Sequence, residues 1–536
     1  MLVIGLDAAD RQLIEQWADA GRLPNIARLR AEGVWGSLAT TADTVHVSAW
    51  PSIFSGVTPD EHGLYHAYVM QEGVQEPVRP RPEDCPVPFL WKLLDEQGKK
   101  SIVMDAFLTC PLRDFSGIQI VDWGSWTWFF GQDIRPASIK EEIRRKFGNY
   151  PAEDHSKVGM TPPADPVGFY NRLMKGVEKK TEVAKWLMES QSWDFFLLVF
   201  GECHAAGHYF WHYQDPDYIA YPEHCDPALR TAMQDIYIAL DRSIGELLEQ
   251  ADDDTTVMVV SGDGMGPNYS GSHLLAELLK RMQLMNAGDR VPAEQSQSTS
   301  GKRSFSSVLR GLIPKQLRAV ISRYVLPRSF SERLSLHWQT ADIEWSRTRA
   351  FVIENANEGY IRINLKDREP EGIVEKSGEY DRLCESLLKV TRSLSNPANG
   401  KSAVTHVHKT VDLYSGPCVR NMPDIIINWD PDAEVTTDLH TKQLGTVSCP
   451  HAAYEVSPYY SGNHRGNAFV AAAGPEIHAR NVLSGASILD LAPTILTFFH
   501  IPVPDYMDGA VRSSLLNCRP NPRPADRFTG TDTRAE

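Results

Sequence analysis

The chain of 536 residues has a formal net charge of −15, 42% hydrophobic residues, and 13 Trp, 18 Tyr and 19 Phe. That composition excludes a disordered or fibrous chain and supplies ample apolar surface for a packed core. The acidic balance argues against general nucleic-acid binding, while leaving room for a local pocket that takes a small anionic substrate.

MLVIGLD, at the start, reads as a strand ending at Asp7, with nothing left over for a signal peptide. No apolar run approaches the roughly 20 residues of a membrane span. The eight cysteines are scattered without CxxC spacing, as suits reduced thiols, and a cytoplasmic location is expected. In chain order the apolar runs are LVIGL (2–6), SIVMDAF (101–107), FFLLVF (195–200), TTVMVV (255–260), DIIINW (424–429) and AFVAAAG (468–474). They alternate with amphipathic stretches at 178–190, 228–250 and 380–394. Such alternation predicts an α/β fold, a doubly wound, mostly parallel sheet flanked by helices. Residues 1–517 are expected to form one elaborated domain, with insertions near 125–180, as a cap over the sheet edge, and near 275–345. Residues 518–536 read as a disordered tail.

Several strand ends carry chemistry-bearing side chains. Asp7 either caps a helix beginning near Arg11 or serves as a ligand. In VSGDGMG, Asp263 sits between two glycines at a strand mouth, where a tight turn or a metal ligand would each explain it. After FFLLVF, the segment GECHAAGHYFWHY spaces His204, His208 and His212 by four, placing them on one face of a helix. His464 precedes another buried run; Arg465 beside it is a candidate for a phosphate oxygen, and Asn463 for substrate contact. Asn463 and Glu202 are also candidates to orient imidazoles. Near residue 45 stand Thr44, His46 and Ser48, and a hydroxyl beside a divalent metal can attack phosphorus or sulfur. His62 and His66 read as surface turn residues.

Taken together and in order, GLDAAD, GRLPNIARLRAEGVWGSL, SAWPSIFSGVTPDEHGLY, SGDGMG, GNHRGNAFVAAAGP and ILDLAPTILTFFHIPVPDYMDG resemble the alkaline phosphatase superfamily. Within it they are similar to phosphohydrolases related to type I phosphodiesterases and nucleotide pyrophosphatases. The resemblance implies two divalent metals, zinc or manganese, around a Thr or Ser nucleophile. It also implies hydrolysis of small phosphate esters, diester or monoester, nucleotide-type substrates among them.

Carried over by residue, the family's first-strand aspartate falls on Asp7 and its late histidine on His464. Its aspartate and histidine four apart fall on His204 and His208, so the aspartate is replaced. SDHG falls on Ser261 to Gly264, with Gly262 at the aspartate position and Asp263 at the histidine position; the nucleophile position holds His46. A sulfatase is disfavoured because HVSAW stands where that branch has a CxPSR-type motif. A phosphoglycerate-type mutase is disfavoured by the lack of its inserted domain and serine.

Three arrangements follow. In the favoured one His204, His208 and His464 bind one metal, and Asp7, Asp263 and His46 another. Attack then comes from a water whose pKa a metal lowers, from Ser48 or Thr44, or from His46. The second is a catalytically inactive superfamily member that binds an anionic ligand or partner. The third is a mononuclear three-histidine metalloenzyme of another class.

Overall fold

The computed structural model describes residues 1–66, 68–80, 85–124, 132–152, 163–286, 343–355, 357–449 and 460–517. Every side chain of β1 (Leu2–Leu6), β6 (Phe195–Phe200) and β7 (Val257–Ser261) is buried. Successive residues point to opposite faces. Leu2, Ile4, Leu6, Phe196, Leu198, Phe200, Val257 and Val259 enter one core, while Val3, Phe195, Leu197, Val199, Met258 and Val260 enter another. Strands that are dry on both faces belong inside a parallel sheet covered by helices.

Among the described residues a nine-stranded sheet runs in the order β17 (Asn481–Ser487), β2 (Val34–Ala39), β16 (Phe469–Ala473), β7, β1, β6, β3 (Ser101–Met104), β4 (Ile118–Val121), β5 (Asp133–Arg135). β7, β1, β6, β3 and β4 are mutually parallel, whereas β16 and β5 pair antiparallel with their neighbours. Helices Pro166–Ser190 and Pro227–Gln250 cover one face. Ala49–Ser55 and Leu491–Phe498 cover the other. This is the expected α/β architecture.

A second sheet, β11 (Val404–Lys409), β12 (Ile425–Trp429), β10 (Gly359–Ile363) and β9 (Ala350–Ile353), is antiparallel and backed by helix Glu379–Thr391. DIIINW, read as one more run of the main alternation, is β12 of this sheet. AFVAAAG is β16, in the main sheet but reversed. An apolar run signals burial without specifying sheet or direction. Buried Arg368 bonds Asp424 at 2.7 and 2.9 Å, and Arg362 bonds Glu369 at 2.6 Å, anchoring β10 to the loop before β12. Removing one partner of a buried pair of this kind costs about 3–5 kcal/mol, because the other charge is left uncompensated.

Two ribbons complete the described strands: β13 (Asp438–Thr441) with β14 (Gly445–Ser448), and β15 (Gly462–Arg465) with β8 (Gly264–Pro267). Within the segment read as a cap, β5 extends the sheet edge and Pro166–Ser190 joins the main core. Most of the second candidate insertion, residues 287–342, and the tail from 518 lie outside the described residues. Among the described residues no helix is long and apolar enough to cross a membrane.

Candidate active site

Parallel pairing of β7, β1 and β6 sets their carboxyl ends side by side, where open α/β sheets gather ligands. Asp7 leaves β1, Asp263 leaves β7, and helix Glu202–Gln214 begins just after β6. The helix that follows β1 is capped by Asp10, whose carboxylate accepts the amides of Gln12 and Leu13. Asp7 is therefore not the cap. Between them Ala8 takes a φ of 54°, in the left-handed region, a strain of roughly 1–2 kcal/mol held by the surrounding core.

Gly5 faces Trp50 so closely that a Cβ there would stand 2.6 Å from the indole, and Trp50 Nε1 reaches up to donate to Asp7 Oδ1 at 2.6 Å. The ribbon that carries His464 lies directly on the helix that carries His204 and His208. A Cβ at Gly462 would meet the Gly207 carbonyl at 2.1 Å, so glycine is what permits this crossing.

These contacts orient the imidazoles. Nδ1 of His204 lies 2.6 Å from Asp7 Oδ2, Nδ1 of His208 lies 2.9 Å from the Gly462 carbonyl, and Nδ1 of His464 lies 2.5 Å from Asp263 Oδ2. A proton on Nδ1 donated to these oxygens would leave the Nε2 lone pair for an ion, the arrangement found around metal-ligating histidines. One ligand atom from each of the three lies within 4.8 Å of the others, and their ring centroids are 4.7 to 5.0 Å apart.

His46 completes the cluster, stacked on His464 with centroids 4.4 Å apart. Its Nδ1 sits 2.9 and 3.0 Å from the two oxygens of Glu358, its backbone amide donates to Glu358 Oε1 at 2.9 Å, and the Asn357 amide lies 2.7 Å from its Nε2. Glu358 also accepts from Asn355 and Tyr360. The loop behind His46 is tied to the strand end by Thr40, which donates to the Gly262 carbonyl at 2.6 Å.

Burial, reinforced by the neighbouring imidazoles, pushes His208 and His464 well below the ordinary histidine value and keeps both neutral. Burial, then the charge of Asp7, pushes Asp263 up to about 8. Burial opposes the charge of Asp7 as well, but the adjacent His204 and the bonds from His204 and Trp50 hold its carboxyl below the usual range. Three imidazoles gathered in this way are good ligands for a divalent cation, with Asp7 and Asp263 placed behind two of them. The donor set fits a divalent metal.

Other expected residues sit elsewhere. Ser48 Oγ donates to the Val45 carbonyl at 2.5 Å and contacts Thr41, while Thr44 Oγ1 donates to the Thr41 carbonyl at 3.0 Å and pairs with Tyr414 at 2.7 Å. Arg465 alternates with His464 along β15 and points to the opposite face of the ribbon, into the space left by Gly266. Asn463 shares that face, and its side chain accepts the His464 amide. Glu202 bonds Tyr150 and approaches Lys180 rather than an imidazole. His212 stacks on Tyr213, outside the cluster. His62 and His66, read as surface residues, are buried, and burial lowers them to about 3 and about 4. His62 pins a turn, with Ser52 at Nε2 and the Leu64 amide at Nδ1. Sequence reading missed Glu358, Asn357 and Trp50; a buried-strand boundary carrying Glu was the one available signal for Glu358.

Sheet and site together define a hydrolase of the alkaline phosphatase superfamily. The model of the type I phosphodiesterase / nucleotide pyrophosphatase family matches residues 1–464, and the chain belongs to that family. Among solved structures it is similar to phosphonoacetate hydrolase from Sinorhizobium meliloti in complex with phosphonoformate, at 12% identity, 92% coverage of this chain and 93% of that one, with a TM-score of 0.47. It is also similar to human ectonucleotide pyrophosphatase/phosphodiesterase 5, at 13% identity, 97% and 100% coverage and a TM-score of 0.47. No curated protein matches the chain.

Proposed function

We propose that this protein hydrolyses a small anionic phosphate ester, diester or monoester, with a divalent metal held by His204, His208 and His464. The observation that carries the reading is the set of three imidazoles whose ligand atoms lie within 4.8 Å of one another, each with Nδ1 beside an oxygen acceptor. Zinc suits three imidazole ligands best, with manganese second. When bound, such an ion offsets the negative charge that develops on phosphoryl oxygens.

The chain's own residues supply the rest. Asp7, Asp263 and the Gly462 carbonyl hold the ring planes. His46, braced by Glu358, takes the proton of the attacking water at Nε2, which requires Asn357 to yield its place to that water. The hydroxyls of Ser48 and Thr44 are engaged in hydrogen bonds to Val45 and Tyr414, which favours water as the nucleophile. The test is turnover of bis(4-nitrophenyl) phosphate, 4-nitrophenyl phosphate and phosphonoacetate by protein loaded with zinc or manganese. Hydrolysis of one class, abolished by a chelator and by His204→Ala, is expected; no turnover of any overturns the reading.

A further inference from the structure

We propose that the chain binds one metal ion rather than two, because the residues a second ion would need are held by other partners. This rests on the metal-dependent reading above, but departs from the two-metal centre that the family resemblance implies. The first centre is fully built, because each of its imidazoles has its own orienting acceptor.

A second centre would need Asp7, Asp263 and His46, and these are already committed. Asp7 accepts from Trp50 at Oδ1 and from His204 at Oδ2, both at 2.6 Å. Asp263 Oδ2 faces His464, and of these two carboxylates only Asp263 Oδ1 is buried without a hydrogen-bond partner. One uncommitted oxygen falls short of the three protein ligands typical of a catalytic zinc site.

Packing closes the remaining route. At Gly262, where the resemblance places a ligand aspartate, a Cβ would stand 3.0 Å from Ile53 Cδ1 and 3.1 Å from Ala49 Cβ. The core has settled around the missing side chain. His46 is meanwhile braced from the second sheet, with Nδ1 between both Glu358 oxygens and its amide on Oε1, while Asn355 and Tyr360 hold the far side of the carboxylate. Both ring nitrogens of His46 are therefore engaged, Nδ1 by Glu358 and Nε2 by Asn357. Glu358 is thus a positioning residue.

The test is a titration of the chelator-stripped full chain with cobalt(II), read by its d–d absorption, together with zinc content after dialysis. Saturation at one equivalent, one zinc per chain, near-zero zinc in His204→Ala and an unchanged single zinc in Glu358→Gln are expected. Two equivalents in the wild type overturn the inference. Ester hydrolysis measured on the same samples separates the two ideas: two metals with turnover remove this inference and keep the hydrolase, whereas one metal without turnover keeps it and removes the hydrolase. No metal in the wild type removes both. Since the deciding number is the wild-type stoichiometry, a variant that misfolds does not shelter the proposal. A fall in kcat for Glu358→Gln at unchanged KM and unchanged zinc supports positioning; a kcat equal to wild type overturns that role.

Discussion

Asp7, His204 and Asp263 follow adjoining strands of one sheet and His464 comes from the ribbon laid on the helix after β6, whereas His46 is held by Glu358, 312 residues away at the start of a second sheet. The first half is positioned by strand register, which the buried β7, β1 and β6 fix through their whole length. The second exists because two cores dock. Damage to the first half should therefore abolish metal binding, and damage to the second should leave the metal in place.

The sharpest way to break that contrast is His204→Ala, expected to lose the metal and lower kcat/KM on the order of 10³-fold, as loss of a metal's charge stabilisation would. Metal content and steady-state kinetics check it. Retained metal would move the centre elsewhere.

Next comes a pH effect confined to the second half. Burial works against Glu358, but His46, through its charge and its bonds, together with Asn355, holds the Glu358 carboxyl at about 2. An unfolded glutamate titrates near ~4.3, so the native state gains roughly 3 kcal/mol from this group. Because the folded value is depressed, that stability is fully present above the unfolded pKa and is lost as pH falls towards the folded one. Urea unfolding of the metal-free wild type and Glu358→Gln between pH 5 and pH 3, measured by circular dichroism, should show the steeper acid loss in the wild type. Equal slopes would contradict it.

Asp263→Asn is expected to weaken metal affinity about 10–100-fold, the usual cost of losing a partner that orients a ligand, while the His46–Glu358 contact survives. Competition with a chromogenic chelator measures this. Smallest of all should be Ser48→Ala and Thr44→Val, each costing about 1 kcal/mol for a lost hydrogen bond and changing kcat by less than about threefold. A hundredfold fall in either would make that hydroxyl the nucleophile.

Much of the first half is legible in the amino-acid sequence. LVIGL, FFLLVF and TTVMVV are dry runs, and each is followed within four residues by a side chain that can bind a metal or orient its ligand: Asp7, His204 and Asp263. The spacing of His204 and His208 predicts a shared helix face, and they do share it with His464. What spacing cannot say is that His212, another turn along, stays out because His464 arrives from the ribbon instead. Nor can it say that Asp7 and Asp263 turn their oxygens to the histidines, since both ligands and orienting partners are carboxylates in a sequence.

Local chemistry along the chain determined the doubly wound core, the strand-end carboxylates and the histidine pair, because burial periodicity and helical spacing are properties of neighbouring residues. The direction of β16, the assignment of β12 to a second sheet, the crossing of the His464 ribbon over the histidine helix and the pairing of His46 with Glu358 were decided by tertiary structure alone. Each depends on which surfaces meet across hundreds of residues, and contacts of that range leave no period in the sequence.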